Sequence, residues 1–250
     1  MTKTIIITGA SSGLGKALAS NLAGHNVVLH LIGRNFKRLM ETVAICQNKG
    51  AVVFAHLIDV SSLEEVTKFY DKIRSKKIDM VFAAAAVSME SDNFEDARAV
   101  KELFDINVIG VSNIVLPAVQ MMKENKRGGK IVIIGSIAGE IAFPSSPSYV
   151  ASKAALKLFA HGLSVNLKQH KILVSMVLPG YIKTAMTQSN KHYMPMIISA
   201  NEAAKIIIKG ALQNKPMIIF PKTLYYCVQI LKLLPRFMLD WILHKLPKKG

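Results

Sequence analysis

Short runs of apolar residues recur along the first 220 positions of the chain, and stretches with helical periodicity separate them. The runs lie at residues 4–8, 27–32, 52–57, 80–84, 131–134, 173–178 and 217–220. Several of them are apolar at every position rather than at alternate positions, which is typical of parallel strands covered by helices on both faces. Helical patterns include residues 15–23, 36–47 and 63–73, the last preceded by a cap signal at Ser61 and Ser62.

This alternation of strands and helices predicts right-handed βαβ units and a doubly wound parallel sheet with helices on both faces, an α/β fold. No internal repeat, low-complexity segment or Gly/Ser-rich linker interrupts the pattern, and 250 residues are enough for one well-buried core. We therefore predict a single domain over residues 1–220 and a C-terminal extension over residues 221–250.

Composition narrows the class of protein further. Apolar residues make up 51% of the chain, which excludes disorder by composition. Cys46 and Cys227 are far apart and are the only cysteines, so we expect neither a disulfide scaffold nor a zinc site, and a reducing, cytoplasmic compartment. The histidines show no metal-binding pattern, and we predict no metal site. We see neither a signal peptide nor an uncharged apolar stretch of about 18 residues.

The charge balance raises the question of an anionic partner. Lys and Arg number 32 against 16 Asp and Glu, a formal net charge of +16. Such a charge suits nucleic acid, an anionic cofactor or an anionic membrane face. Because the basic residues are scattered rather than interleaved with aromatic residues, we predict no binding to nucleic acid.

The first apolar run ends in a glycine-rich turn at residues 8–15, and a helical pattern follows it. The glycines are spaced G-x-x-x-G-x-G rather than G-x-G-x-x-G, but the physical demand is the same. Gly9 permits a tight turn, Gly13 lets backbone amides approach a pyrophosphate, and Gly15 lets helix and strand pack closely. Since the positive end of the helix would face the phosphates, the sequence predicts a dinucleotide site in a Rossmann-type fold.

The end of the second apolar run indicates which dinucleotide is bound. A carboxylate there would bind the ribose 2′-hydroxyl of NAD, but the chain has Arg34 and Asn35. The Arg34 guanidinium suits a 2′-phosphate, so we predict NADP(H), with a solvated turn arginine as the alternative. Asp59, after the third run, is placed either to accept a hydrogen bond from the adenine amino group or to cap the next helix.

A second constellation carries acid/base chemistry. Ser136 follows the strand that ends near residue 134, and Tyr149 and Lys153 come thirteen and seventeen positions later. Residues at i and i+4 share one face of a helix, and a lysine ammonium there would lower the pKa of the phenol from about 10 toward working pH. Ser136 could donate a hydrogen bond to a carbonyl oxygen as charge develops on it.

Together these pieces resemble the short-chain dehydrogenase/reductase family, over nearly the whole chain as far as about Phe220. The matching pieces are the glycine-rich turn, Asp59-Val60, Asn107-Val108, Ser136, Tyr149 with Lys153, and residues 179–184. The resemblance implies a tetrad in which Tyr149 donates the proton during reduction. Lys153 would also bind the nicotinamide ribose, and Asn107 would hold a water that continues a proton relay.

The resemblance also implies the residues that contact the cofactor. They are Gly9, Ser11, Ser12, Gly13, Leu14, Gly15, Arg34, Asn35, Asp59, Val60, Ala83, Ala85, Tyr149, Lys153, Pro179, Gly180, Ile182 and Thr184.

The chain departs from the family pattern in the segment that supports this site. The family usually has Asn-Asn-Ala-Gly after the fourth strand, where this chain has Ala83 to Ala86. We interpret the four alanines as a changed support of the cofactor site and not as the mark of an inactive enzyme, since all four tetrad positions are retained.

The C-terminal extension is apolar and basic, with six Lys or Arg and one Asp in residues 221–250. Helices on either side of Pro235 could dock on a membrane, with Tyr225, Tyr226 and Trp241 at the headgroups and Lys248-Lys249 facing anionic lipid. Alternatively, the extension is a lid over the substrate cleft or a contact in a homo-oligomer. We favour the lid or contact, because Arg236, Asp240 and His244 form a stripe that suits a helix folded back on protein. Either alternative suggests a lipophilic substrate.

The sequence thus predicts an NADP(H)-dependent oxidoreductase that reduces a ketone or 3-oxo group, or oxidises the corresponding alcohol. Its predicted partner is a small, lipophilic carbonyl or alcohol substrate, and its predicted location is cytoplasmic, with peripheral contact at the inner membrane face if the extension docks there. Two alternatives remain: a catalytically weak, dinucleotide-binding regulator of the same fold, supported by the alanine run alone, and a membrane-associated scaffold.

Overall fold

Seven parallel strands form one central sheet in the order β3-β2-β1-β4-β5-β6-β9. The computed structural model describes residues 2–88, 96–144, 146–188 and 194–245. The strands of the sheet are β1 (Lys3–Thr8), β2 (Val27–Gly33), β3 (Val52–Leu57), β4 (Met80–Ala83), β5 (Gly129–Ile134), β6 (Ile172–Pro179) and β9 (Met217–Phe220). Two short strands, β7 (Ile182–Lys183) and β8 (Ile198–Ser199), pair separately. The predicted doubly wound parallel sheet is confirmed.

Helices cover both faces of the sheet. They are α1 (Gly13–Leu22), α2 (Phe36–Gln47), α3 (Leu63–Ile73), α4 (Ala97–Phe104), α5 (Gly110–Glu124), α6 (Pro147–Leu167), α7 (Ala185–Gln188), α8 (Ala200–Leu212), α9 (Lys222–Leu231) and α10 (Arg236–Lys245). Helices α1, α2 and α8 supply one core cluster, and α3, α5 and α6 supply the other. The sheet therefore lies between two separate apolar layers.

The continuous apolar runs follow directly from this sandwich. Successive side chains of a strand point to opposite faces of a sheet. In β1, Ile5 and Ile7 enter the cluster with α1, whereas Ile6 enters the cluster with α5. In β5, Val132 and Ile133 separate in the same way. Because both faces are buried, every position of such a strand is apolar.

Helices α4 and α5 are joined through a π-helical turn at Asp105–Ile109 into one long helix. This helix, Ala97–Glu124, is long and apolar enough to cross a membrane by length and composition alone, although we expected no such stretch. Half of its most apolar window is buried inside the protein, where α5 packs against β4, β5 and α3. The burial matches that of a core helix.

The C-terminal extension packs on the sheet with one side only. Helix α9 contacts β9 and the 3-10 turn Ile137–Glu140, which follows Ser136. Val228 and Leu243 are buried in the core cluster that contains α5 and α6. The Arg236, Asp240 and His244 stripe is exposed. The helix that carries it is folded back on the protein, as expected, because its apolar residues Leu239 and Leu243 pack against the core. Lys248 and Lys249 lie outside the described residues.

Candidate active site

A cleft of about 510 Å³ opens at the carboxyl ends of β1, β4 and β5. This is the point where the strand order reverses in an open α/β sheet, and such points hold ligands. The structure brings nearly all predicted site residues to this cleft: Gly9, Ser11, Ser12, Gly13, Leu14, Gly15, Arg34, Asn35, Asp59, Val60, Ala85, Ser136, Tyr149, Lys153, Pro179, Gly180, Ile182 and Thr184. Ala83 and Asn107 are the two that do not line it.

The glycine-rich turn forms a close-fitting cradle between β1 and α1. Gly9 has a φ of +67°, and a Cβ there would lie 3.0 Å from the carbonyl oxygen of Ala84. A Cβ on Gly15 would lie only 2.2 Å from the carbonyl oxygen of Gly9. The first position therefore needs left-handed backbone, and the second needs the absence of a side chain. Both predicted roles agree with this geometry.

The N-terminus of α1 is left open toward the cleft. It begins at Gly13, two residues earlier than predicted, and the side chain of its N-cap residue Ser12 makes no capping hydrogen bond. The first turn contains no acidic residue. Unpartnered N–H groups and the positive end of the helix dipole are therefore available to an anion. Together with the glycine cradle, this middle part of the cleft fits a pyrophosphate.

Arg34 and Asp59 lie at the far end of the cleft and contact each other. The Arg34 guanidinium donates to Asp59 Oδ2 at 3.2 Å, and Asp59 Oδ1 accepts from the backbone and hydroxyl of Ser61. Partial burial would raise the pKa of Asp59, but the hydrogen bonds from Ser61 and Arg34 outweigh it and lower that pKa. Arg38, which the sequence reasoning missed, lines the same end. Its position in the first turn of α2, directly after the loop that carries Arg34, was the available signal.

Ser136, Tyr149 and Lys153 meet at the other end of the cleft. Tyr149 and Lys153 lie one turn apart on α6, which begins with Pro147, and Ser136 follows β5. The Tyr149 hydroxyl is hydrogen-bonded to Ser136. The Lys153 ammonium donates to the carbonyl oxygen of Ile134 at 3.2 Å and lies 5.5 Å from the centroid of the Tyr149 ring. The predicted grouping of these three side chains is present.

The pKa of Tyr149 moves in the direction opposite to our expectation. Burial raises it above its ordinary value, although the hydrogen bond with Ser136 opposes the rise. Burial also lowers the pKa of Lys153 to about 8. Desolvation disfavours the charged form of both groups and is the main cause of both pKa shifts.

Asn107 braces the loop that follows β4. It lies in the π-helical turn, fully buried, and its Oδ1 accepts from the backbone N–H of Val87 at 2.8 Å. Its Nδ2 donates to the carbonyl oxygen of Val87 at 2.9 Å and to Ser152 Oγ at 3.3 Å. Both amide protons are therefore in use. The proposed relay through a water at Asn107 stays a prediction.

The alanine segment is held from its other side by Thr8. The buried Thr8 hydroxyl accepts hydrogen bonds from the backbone N–H groups of Ala84 and Ala85 at 3.0 and 2.9 Å. Ala83 is the last residue of β4 and packs into the core, so it does not line the cleft as expected, whereas Ala84, Ala85 and Ala86 do. Thr8 and Asn107 thus support this loop without the asparagines that are usual there in the family that the sequence resembles.

His30 and His56 form a pair on neighbouring strands. His30 Nδ1 lies 3.0 Å from His56 Nε2 across the parallel strands β2 and β3. Burial lowers the pKa of both, that of His56 to about 4, so both rings are neutral near pH 7. Within the described ranges, no group of three or more His, Cys, Asp or Glu could hold a metal ion.

Comparison with known proteins identifies the family. The profile of the family described as short chain dehydrogenase matches residues 3–194, more than half of the chain. This chain belongs to the short-chain dehydrogenase family. An uncharacterized oxidoreductase from Staphylococcus saprophyticus is 35% identical over 192 residues, covering 74% of this chain and 80% of the relative. Human 17-beta-hydroxysteroid dehydrogenase 13 is 26% identical over 241 residues, 92% of this chain and 79% of the relative.

Solved structures share the fold. A short-chain dehydrogenase from Sphingobium yanoikuyae in complex with NADPH has a TM-score of 0.82 at 21% identity, covering 99% of this chain and 98% of that one. A short-chain dehydrogenase from Mycobacterium paratuberculosis bound to NAD has a TM-score of 0.76 at 22% identity, covering 87% of this chain and 94% of that one. The family match makes this chain an oxidoreductase, and the solved structures show that it shares their fold.

Proposed function

We propose that this short-chain dehydrogenase reduces a ketone or 3-oxo group of a lipophilic substrate with NADPH, or oxidises the corresponding alcohol with NADP. The observation that carries the proposal is the arrangement of one cleft. Ser136, Tyr149 and Lys153 lie at one end of it, an open helix N-terminus lies in the middle, and two arginines lie at the other. When bound, the dinucleotide supplies the hydride.

The acid/base chemistry belongs to Tyr149. A carbonyl oxygen within hydrogen-bond reach of its hydroxyl also reaches the hydroxyl of Ser136, since the two groups are hydrogen-bonded to each other. Ser136 donates a hydrogen bond to the oxygen as negative charge develops, and Tyr149 transfers a proton to it. The raised pKa keeps Tyr149 protonated, as a proton donor must be. The Lys153 ammonium then stabilises the phenolate that remains.

The preference for NADPH rests on the cations at the adenine end. Arg34 and Arg38 line the cleft and are exposed, so both guanidinium groups can turn toward a 2′-phosphate. The Asp59 carboxylate is already paired with Arg34. It is therefore not free to bind a ribose 2′-hydroxyl. One structural neighbour was solved with NADPH and another with NAD, so the proposal depends on these side chains and not on the neighbours.

The lipophilic substrate is supported by the lining of the reactive end. Val87, Ile106, Ile182 and Met186 line the cleft there together with Pro179. Such apolar walls favour an apolar body beside the carbonyl group. The human relative is a hydroxysteroid dehydrogenase by name, and steroids have this chemistry.

The test is turnover by the full chain. We expect NADPH oxidation with members of a panel of lipophilic ketones, 3-oxoacyl thioesters and sterols. Tyr149→Phe should lower kcat by about 10²- to 10⁴-fold, because proton transfer is lost, while the Kd for NADPH stays nearly unchanged. Tyr226→Phe is the matched control, since that tyrosine is exposed on α9 and lies outside the cleft lining. Turnover that survives Tyr149→Phe would refute the assignment.

The alternative of a catalytically weak regulator depended on the alanine run. Thr8 and Asn107 brace that loop through four hydrogen bonds to its backbone at 2.8–3.0 Å. Nothing in the described part of the chain therefore favours loss of catalysis. Absence of turnover with every substrate class, despite tight NADPH binding, would favour the regulator.

A further inference from the structure

The outward side of the C-terminal extension carries a row of large, exposed apolar side chains. Their exposed fractions are 60% for Tyr226, 64% for Ile230, 84% for Leu233, 73% for Phe237 and 62% for Trp241. We call these five residues the outer row. Tyr226 and Ile230 lie one turn apart on α9, Phe237 and Trp241 lie one turn apart on α10, and Leu233 lies between the two helices. The inward side of the same segment is buried in the core at Val228 and Leu243.

The outer row is accompanied by cations. Lys222, Lys232, Arg236 and Lys245 belong to the same segment, and Asp240, at 3.7 Å from Arg236, is its single acidic residue within 221–245. The Lys245 ammonium lies 3.7 Å from the centroid of the Trp241 ring. Aromatic and aliphatic side chains bordered by lysines are the composition of helices that lie in the plane of a bilayer surface.

The outer row is not part of the substrate cleft. No residue of α9 or α10 lines the cleft in the described part of the chain, so the lid that we favoured from the sequence is absent from this structure. The extension instead contacts the outside of the turn that carries Glu140. A partner that covers the outer row is therefore something other than the substrate of the cleft.

A second copy of the chain fits this surface poorly. A two-fold contact places the same patch of both subunits face to face. Each patch carries a net charge of +2 from three cations, Lys222, Arg236 and Lys245, and one acid, Asp240, since Lys232 pairs with the buried Glu140. Like charges that face each other oppose such a contact. An anionic surface has the complementary charge, and the whole chain adds to the attraction with its net charge of +16.

We propose that the outer row docks this protein on an anionic phospholipid bilayer. The five side chains enter the boundary between headgroups and acyl chains, and Lys222 and Lys245 contact the acidic headgroups. The buried inward side of the extension keeps the enzyme body against the surface. This inference does not depend on the choice of cofactor or on catalysis.

The experiment is co-sedimentation of the full chain with vesicles of phosphatidylcholine alone or of equal parts phosphatidylcholine and phosphatidylglycerol. We expect binding to the mixed vesicles and little binding to phosphatidylcholine. Binding should weaken as the Debye length falls from about 10 Å at 0.1 M salt to about 3 Å at 1 M. Each of Lys222→Gln and Lys245→Gln should lower the partition coefficient about fivefold.

Point variants test the apolar contact better than truncation, because removal of the extension would also expose the core around Val228. Phe237→Ser combined with Trp241→Ser should abolish vesicle binding while the thermal unfolding midpoint changes little. Leu158→Ser is the matched control, because Leu158 is 73% exposed on α6 and outside the outer row. It should leave vesicle binding unchanged.

Three results would overturn the proposal. The first is no binding to mixed vesicles at low salt, and the second is equal binding to both vesicle types at every salt concentration. The third is a double variant that dissociates an oligomer in gel filtration while the parent protein does not bind vesicles. That third result would assign the outer row to a second copy of the chain.

Discussion

Glu140 connects the turn that carries Ser136 to the C-terminal extension. Its carboxylate side chain is fully buried. Oε1 lies 2.5 Å from the Lys157 ammonium of α6, and Oε2 accepts from Gln229 at 2.9 Å and from Lys232 at 3.1 Å, both from the extension. We expect Glu140→Gln to destabilise the protein, because the variant keeps the shape but removes the charge and places an amide donor among three donors.

The loss of stability expected for Glu140→Gln can be estimated from the groups that contact the Glu140 carboxylate. A hydrogen bond to a charged group contributes about 1.5–3 kcal/mol. The two lysine side chains are 34% and 39% exposed, so their ammonium groups partly regain water in the variant, and we take the low end for the pair. The free energy of unfolding should fall by about 2 kcal/mol in all. For a chain of this size that lowers Tm by about 4–8 °C.

The pH dependence separates a charge effect from a packing effect. Burial alone would raise the pKa of Glu140, but hydrogen bonds from Lys157, Gln229 and Lys232 outweigh it and lower that pKa below 4.5. The carboxylate therefore contributes stability at pH above about 4.5, and the contribution is lost as pH falls through the lowered folded-state pKa. The Tm difference between the parent protein and Glu140→Gln should be full at pH 7 and shrink in acid.

Thermal denaturation followed by circular dichroism at pH 7 and below pH 4 measures both quantities. Glu64→Gln is the control, because Glu64 also pairs with a lysine, Lys68 at 2.5 Å, but is exposed on α3. Its substitution should hardly change Tm, as is usual for a surface pair. A Tm loss for Glu140→Gln no larger than for the control, or one that is the same at both pH values, would refute the reasoning.

Three further predictions concern the cleft. Arg34→Ala should weaken NADPH binding by about 1.5–3 kcal/mol and NADH binding far less, as measured by fluorescence titration, whereas equal weakening would contradict a contact with the 2′-phosphate. Gly15→Ala should abolish dinucleotide binding, because its Cβ would lie 2.2 Å from the Gly9 carbonyl oxygen, while Gly24→Ala, with no atom within 4 Å, should bind normally. The pH profile of kcat/KM should fall at alkaline pH with an apparent pKa near 8, because Lys153 loses its proton there, and a profile flat from pH 7 to 9 would exclude that role.

Local patterns were enough for the main features of the fold and the site. The glycines of residues 9–15 act within one turn, and Tyr149 and Lys153 are neighbours by helical spacing alone. A strand that is buried on both faces is apolar at every position, so the continuous apolar runs predicted the parallel sheet. Only the ends of these elements were misplaced, as at α1, which begins at Gly13.

Contacts between distant positions were decided by the tertiary structure alone. Thr8 reaches Ala85 across 77 positions, and Lys232 reaches Glu140 across 92. No periodicity in the chain encodes such pairs, because they depend on which strands and helices become neighbours. The same holds for the direction of the Tyr149 pKa. The sequence shows a nearby lysine, but only the packed fold determines how much water both groups lose, and desolvation is the larger effect here.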